Sequence, residues 1–298
     1  MRLDAVILVA VLCWSCTAQA PAVAAEQPAS TQPSSQQRSA VAVHIWTSAN
    51  ETTTEELFDV DLHTRSVTSR SSERTPRGEK DGLAKANIDE RTRNRPVYDR
   101  IIATVKASVN PNVDDELAKE LRGVEDRRSA GYVPEDFIVA SPDGKQAVIR
   151  SFWNRPLLLV DVATLKAHRL LDDAGHQMPP VAWSADSHRL AFAPTTSGEV
   201  SVYDVQRQTT VVVTREAPGW IEELSWSPDG TRIVAVGLAN RRMDKNPLAL
   251  LGASAGHPAF SNDGVLFVCE ADRDEAYSVP LKRGISEPSM LGAKVEWK

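Results

Sequence analysis

This chain of 298 residues is poor in cysteine and in aromatic residues and has no excess of positive charge. Its three cysteines are Cys13, Cys16 and Cys269, and the first two lie in an N-terminal segment that we expect to be removed. One remaining thiol excludes an internal disulfide in the processed chain. Because Cys269 lies in the apolar sequence GVLFVCEAD, we expect its side chain to be buried and unreactive.

The formal net charge is −6, and no basic stripe offsets it, which argues against nucleic acid as a partner. The apolar run at residues 5–14 is shorter than the roughly 20 residues needed to span a bilayer. Small residues follow it at 22–25, an arrangement typical of a secretory signal peptide. We therefore predict a signal peptide at 1–25 with cleavage near Ala25, a periplasmic or secreted protein, and no stable membrane span after processing.

Two alternatives remain for the N-terminus: an uncleaved anchor, and a lipid attached at Cys13 or Cys16. Residues 26–40 are rich in Pro, Ser and Gln without apolar periodicity, which predicts a flexible tether. The remaining part, 41–298, is long enough for one large all-β domain or two smaller ones.

A recurring unit explains most of this domain. Its four copies read IVASPDGKQAVIRS, VAWSADSHRLAFAP, LSWSPDGTRIVAVG and PAFSNDGVLFVCEA. The serines at 141, 184, 227 and 261 stand 43, 43 and 34 residues apart, and a period near 40 is typical of propeller blades. Each copy predicts a short apolar strand, a tight Ser-x-Asp-Gly turn and a second strand, with Ser187 in place of the turn glycine in the second copy.

Further strands complete the unit. PLLLVDVATLK around Asp161 and VSVYDVQRQTT around Asp204 each predict a third strand, and KAHRLL and TTVVVT predict a fourth. Four strands make one blade. The segment 41–70 has the second to fourth strands without the first, whereas the terminal AKVEWK has only the first, so we predict that the two ends share a blade and close the ring.

Residues 71–134 fit the repeat poorly. RIIATVKASV alternates like a strand but could start a helix, and the following segment places Val113, Leu117, Leu121 and Val124 on one helical face. We predict an all-β propeller of six four-stranded blades, in which 71–134 forms a degenerate blade with a helical insertion. The alternative is a ring of five blades plus a helical insertion.

The sequence Gly252-Ala-Ser254-Ala-Gly256 has the spacing of the nucleophile elbow of α/β-hydrolases. Such an elbow needs a helix directly after the serine, but Pro258 and the predicted Ser261–Gly264 turn interrupt one. His257 is the only histidine downstream, too close in sequence to act as the distant base. We therefore predict that Ser254 is not a nucleophile and that this segment connects two blades, NPLALLG before it being a third strand.

Other chemical signals are weak. His168, Asp172, Asp173 and His176 do not have the spacing of a standard zinc or calcium site, and the acidic residues at 270–276 are typical of a solvated loop. We predict no catalytic, cofactor-binding or metal-binding residue.

The SPDG turns followed by DV strands resemble the TolB-like, WD-type propeller repeats of bacterial envelope proteins, over residues 136–283. This resemblance implies a six-bladed ring that offers a binding surface at its faces or central funnel and has no intrinsic catalysis. We accordingly predict a non-enzymatic, monomeric scaffold that binds another envelope protein or a small ligand at a propeller face. The alternative is a propeller enzyme, a relative of lactonases, lyases or peptidases, with residues from several blade loops around the funnel.

Overall fold

The structure is a computed structural model, which describes residues 40–49, 52–76, 82–107, 115–129, 133–151, 155–174, 177–194, 197–243, 260–273, 275–286 and 290–298. The predicted signal peptide and most of the tether, together with Ser254, His257 and the NPLALLG segment, lie outside these residues. Of the helices described, none is long and apolar enough to cross a membrane.

The described strands form four antiparallel sheets of four strands each. Blade 1 contains β1 (Ala40–Ala49), β2 (Thr52–Asp61), β3 (Ser66–Pro76) and β16 (Met290–Trp297). Blade 2 contains β4 (Ile138–Ala140), β5 (Gln146–Ile149), β6 (Leu157–Asp161) and β7 (Ala167–Leu171). Blade 3 contains β8 (Val181–Trp183), β9 (Arg189–Phe192), β10 (Val200–Asp204) and β11 (Thr209–Thr214). Blade 4 contains β12 (Trp220–Trp226), β13 (Arg232–Met243), β14 (Phe260–Glu270) and β15 (Ala276–Ser286).

Separate apolar cores join consecutive blades face to face. Leu157 of blade 2 and Phe192 of blade 3 belong to one core, Val213 of blade 3 and Ile233 of blade 4 to a second, and Val268 of blade 4 packs with blade 1 in a third. Successive sheets packed in this way around neighbouring inner strands form a β-propeller. The propeller class that the repeats predict is therefore confirmed.

The described residues form four blades, so both predictions, six blades and five blades with an insertion, were wrong. The error comes from the fourth copy of the repeat. Ser261–Gly264 does not turn but lies inside β14, where Gly264 pairs with Leu238 of β13. Because β13 and β14 are long, the fourth serine marks the third strand of blade 4, and not the start of a fifth blade.

The two ends of the domain share blade 1. β16 pairs antiparallel with β1, and Val41 lies opposite Trp297 and Val43 opposite Val295. This is the arrangement that the half-units at the two ends predict.

The segment 71–134 is mainly helical where it is described. After the end of β3 it forms α1 (Gly82–Ala107) and α2 (Asp115–Ser129), and a 3-10 helix (Pro134–Phe137) leads into β4. Three of the four residues of the predicted helical face, Leu117, Leu121 and Val124, are buried in a core with β4–β6. The fourth, Val113, lies outside the described residues. The degenerate blade was wrong, because none of the four described sheets is built from α1, α2 or the 3-10 helix.

Three of the predicted Ser-x-Asp turns form. In the first, the Ser141 hydroxyl donates to Asp143 Oδ1 (2.7 Å) and accepts from the Gln146 N–H (3.0 Å). Gly144 has φ +67°, a conformation that favours glycine. Ser187 adopts φ +63° at the same position of the second turn, and its hydroxyl accepts the Asp143 N–H at 3.1 Å, which joins two blades.

A central cavity as the candidate functional site

The inner strands are joined by a repeated indole hydrogen bond. A tryptophan near the end of an inner strand donates its Nε1–H to the inner strand of the preceding blade. The bonds are Trp183 to Val139 O (3.2 Å), Trp226 to Ala182 O (2.9 Å) and Trp297 to Ser225 Oγ (3.1 Å). These contacts place β4, β8, β12 and β16 side by side around one axis.

The inner strand β4 has no tryptophan to continue this series of hydrogen bonds, and helix α1 lies beside it instead. The residue of β4 that corresponds to the tryptophans is Ala140, and its N–H is bound by Asn94 Oδ1 of α1 at 3.2 Å. Since α1 also contacts β16, it lies between the inner strands of blades 1 and 2. The ring is thus completed by a helix rather than by a fifth sheet.

The inner strands and α1 surround a cavity of about 930 Å³. Its charged lining residues are Glu90, Arg93, Asp143, Arg150, Glu222 and Glu223. Aromatic and apolar side chains, among them Trp183, Trp226 and Met178, complete the wall. A concave site with a few polar groups in an apolar wall is the usual form of a ligand pocket.

A β-bulge in β12 brings two adjacent glutamates to this cavity. Ile221 pairs with Gly237 and Glu223 with Val236, so Glu222 has no partner of its own in β13. A bulge changes the direction of the following side chain, and both carboxyls consequently line the cavity. The bulge requires glycine opposite, because a Cβ on Gly237 would lie 2.2 Å from Trp220 O.

The Glu223 side chain lies deep in the protein and keeps partial solvent contact through the cavity. Burial raises its pKa to about 8, and the nearby carboxyls of Glu90 and Glu222 contribute to the increase. The cations Arg150 and Lys294 oppose this change but do not cancel it. A pKa of about 8 favours the protonated form of Glu223 at neutral pH.

The neighbours of Glu223 are held by partners of their own. Burial also raises the pKa of Glu222, whereas the indole of Trp220, which donates to this carboxyl, opposes the shift. Arg150 donates to Asp136 O (3.1 Å) and to Glu90 Oε1 (3.4 Å). These contacts fix the charged groups around Glu223 without using its carboxyl.

Where the structure describes them, the candidate metal ligands and the acidic segment 270–276 considered from the sequence do not line the central cavity. His168 packs against the Tyr203 ring, with centroids 5.2 Å apart, and Asp172 pairs with Arg169 at 2.9 Å. His176 lies outside the described residues, as does Asp274 of the acidic segment. No group of three metal-ligating side chains occurs among the residues that the structure describes.

Cys269 is buried, and burial raises its pKa to about 12, which suits the unreactive thiol that the sequence predicts.

Sequence reasoning did not select Glu222, Glu223, Arg150 or Asn94. A signal for the first two was present in WIEELSW, where two carboxyls interrupt a strand that the repeat places at the inner edge of a blade. Asn94 and Arg150 gave no such signal, since their place depends on how α1 enters the ring.

Neither a protein-family model nor a curated protein matches the sequence. Solved structures show partial likenesses. Acylaminoacyl peptidase from Pyrococcus horikoshii is 16% identical over 51% of this chain and 23% of its own, with a TM-score of 0.31. For an oligogalacturonate lyase from Vibrio parahaemolyticus the identity is 13% over 46% of this chain and 37% of that one, with a TM-score of 0.32.

The β-propeller domain of Swd1 from Myceliophteria thermophila is 14% identical over 50% of this chain and 57% of its own, with a TM-score of 0.29. The chain thus spans less than two thirds of the length of each of these three proteins. Likenesses of this size assign neither a family nor an activity, and the propeller architecture rests on the four sheets themselves. The part of the chain that the structure describes is a four-bladed β-propeller in which α1 lies between the inner strands of blades 1 and 2.

Proposed function

We propose that this protein is a binding propeller that takes a small polar ligand into its central cavity and does not transform it. The supporting observation is Glu223, a deeply placed carboxyl in a cavity of about 930 Å³ with no hydrogen bond to any other described residue. The carboxyl is partly exposed to the cavity, so a ligand that bonds to it would replace the solvent that it now contacts.

The local chemistry favours binding over acid–base catalysis. A catalytic pair needs one carboxyl protonated and the other ionised at the working pH. Burial raises the pKa of both Glu222 and Glu223, so neither carboxyl has a pKa below its ordinary value as the ionised member of such a pair would. None of the described lining residues is a histidine or a cysteine.

A matched pair of variants tests the site without assuming the ligand. Gln177→Trp places a large ring at an exposed position that lines the cavity, and Gln206→Trp makes the same change in a turn of blade 3 outside it. A library of small polar fragments of positive, negative and zero charge is screened by ligand-observed NMR. We expect hits that bind the wild type and Gln206→Trp and are lost in Gln177→Trp. The proposal fails if no fragment binds, or if both variants keep the same hits.

The second candidate function is a propeller enzyme in which Glu223 donates a proton. It is favoured by the raised pKa of about 8, which keeps this carboxyl protonated at pH 7. For this function, a fragment that binds the cavity would be converted by the wild type and remain unchanged with Glu223→Gln. Recovery of all cavity ligands unaltered would support the binding propeller.

We further propose export of the protein to the envelope, with TolB-like repeats as its scaffold. The support is the short apolar run at 5–14 followed by small residues, together with the SPDG turns. Mass spectrometry of the envelope fraction should find an N-terminus between residues 21 and 27. An intact Met1 on a cytoplasmic protein would contradict export.

A further inference from the structure

We propose that the central cavity binds an organic ammonium ion between the carboxyl groups of Glu222 and Glu223. This inference rests on the proposed binding function and specifies the chemistry of the ligand. On binding, the proton of Glu223 leaves to solvent and the ammonium group, which keeps its own protons, takes its place beside the carboxylate.

The charge of the cavity wall supports a cationic ligand. Four of the charged lining residues are carboxylic acids and two are arginines. Arg150 is already engaged with Glu90, and Arg93 is exposed. The cations present thus leave the Glu222–Glu223 pair without a direct ion-pair partner among the described residues.

The raised pKa of Glu223 indicates that the cations near its carboxyl are too few to stabilise the ionised form. Burial and the neighbouring carboxyls of Glu90 and Glu222 hold this group protonated, despite Arg150 and Lys294. An ammonium group in the same position favours the ionised carboxyl, because an opposite charge within a few ångströms lowers a carboxyl pKa. Ligand binding and proton release are therefore coupled.

An independent observation points to a second contact. Asn94 lines the cavity and is 3% exposed, and its Nδ2 has no hydrogen-bond partner among the described residues. The bond from Ala140 N–H to Oδ1 sets the orientation of the amide and leaves Nδ2 as a donor. The Nδ2 atom is enclosed, so a ligand oxygen would reach this donor only after a small shift of the cavity wall. A ligand that carries an oxygen besides its ammonium group would then supply the acceptor that this donor needs.

Three probes of the same length separate these features. 4-Amino-1-butanol has the ammonium group and the oxygen, 1,4-butanediol is neutral, and 4-hydroxybutanoate is an anion. We expect 4-amino-1-butanol to bind at least tenfold more tightly than either of the others, with dissociation constants measured by NMR titration at pH 9. Equal or tighter binding of the diol or the anion would overturn the inference.

Glutamine substitutions locate the contact. Glu222→Gln and Glu223→Gln should each weaken 4-amino-1-butanol at least tenfold, whereas Glu216→Gln, at an exposed position outside this cavity, should leave it unchanged. Circular dichroism melts check that each variant is folded. Affinities for the two cavity variants equal to that of Glu216→Gln would overturn the inference.

The pH dependence supplies a readout that a purely structural role would not change. The charged groups that act on Glu223 are Glu90 of α1, Arg150 after β5, Lys294 of β16 and its neighbour Glu222. Arg93 of α1 and Asp143 of the first turn also line the cavity. With its pKa at about 8, the affinity for the ammonium probe should rise close to tenfold from pH 6 to pH 7 and level off above pH 8. Glu223→Gln should remove this rise, and an affinity that does not change with pH in the wild type contradicts the coupling.

The outcomes distinguish this inference from the function on which it rests. If neutral or anionic fragments bind and Gln177→Trp excludes them, the binding function stands and the ammonium inference is wrong. If no probe or fragment of any charge binds, both are wrong.

Discussion

Gly237→Ala tests whether the bulge in β12 creates the site. A Cβ at this position would lie 2.2 Å from Trp220 O and 3.1 Å from Trp220 C, both of them backbone atoms that no side-chain rotation can move. Either β12 must shift by about 1 Å or the bulge must be lost, and overpacking of this kind costs about 1–3 kcal/mol. At about 2–4 °C per kcal/mol, we expect the melting temperature to fall by roughly 2–12 °C.

The matched control is Gly219→Ala, one residue before β12. A Cβ there meets no atom within 4 Å, so the change should be neutral or stabilise the fold by about 0.4–1 kcal/mol. Thermal melts of both variants at pH 7 measure the difference. If Gly237→Ala melts at the same temperature as Gly219→Ala, the close approach of β12 and β13 is not as described, and the placement of Glu222 and Glu223 loses its basis.

Three further predictions concern ring closure, the thiol and pH. A chain that ends at Gly292 loses the buried Val295 and most of β16. Its free energy of unfolding should fall by several kcal/mol, at about 1.5–3 kcal/mol per large apolar side chain. An unchanged melting temperature would contradict closure of the ring by the chain ends. Burial and a pKa of about 12 predict that Cys269 resists iodoacetamide in the native protein and reacts after unfolding, as peptide mapping would show. Folding raises the pKa of Glu223 from 4.5 to about 8, so the contribution of its proton to stability is complete below pH 4.5. This contribution declines as the pH rises to 8, by up to about 1.4 kcal/mol per pH unit. Denaturant melts should show a flatter decline of the unfolding free energy with Glu223→Gln, and parallel curves for the two proteins would refute this.

The repeat could be predicted because each turn has local chemical requirements. Ser141, Ser184 and Ser227 each bind an aspartate two residues later and accept N–H groups after the turn, so the pattern is preserved in the sequence itself. The repeat also predicted the pairing of the two chain ends, because each end contains the strands of the unit that the other end lacks.

The blade count could not be predicted because spacing does not distinguish a turn from a strand. The Ser-Asn-Asp-Gly sequence at 261–264 has the letters of the other turns, yet its Asp263 accepts bonds from Asn240 Nδ2 (3.2 Å) and the Gly284 N–H (3.3 Å). Both partners lie on the neighbouring strands β13 and β15. These long-range contacts hold the segment in a sheet, and no local pattern reports them.

The site was hidden for a similar reason. A glutamate pair in a strand is usually a solvated surface feature, and only the bulge and the neighbouring blades place Glu223 in the interior. The contribution of α1 depends on its position between β16 and β4, which requires the whole ring.

The most direct test of the account is the ionisation of Glu223, followed by carbon-13 NMR of glutamate side-chain carboxyls between pH 4 and pH 10. One carboxyl should titrate near pH 8, and this signal should persist with Glu216→Gln and be absent with Glu223→Gln. Adding 4-amino-1-butanol should move this titration to lower pH. Titration of every glutamate near the ordinary value of about 4.3, or a signal near pH 8 that survives Glu223→Gln, would contradict the central cavity as a site built around Glu223.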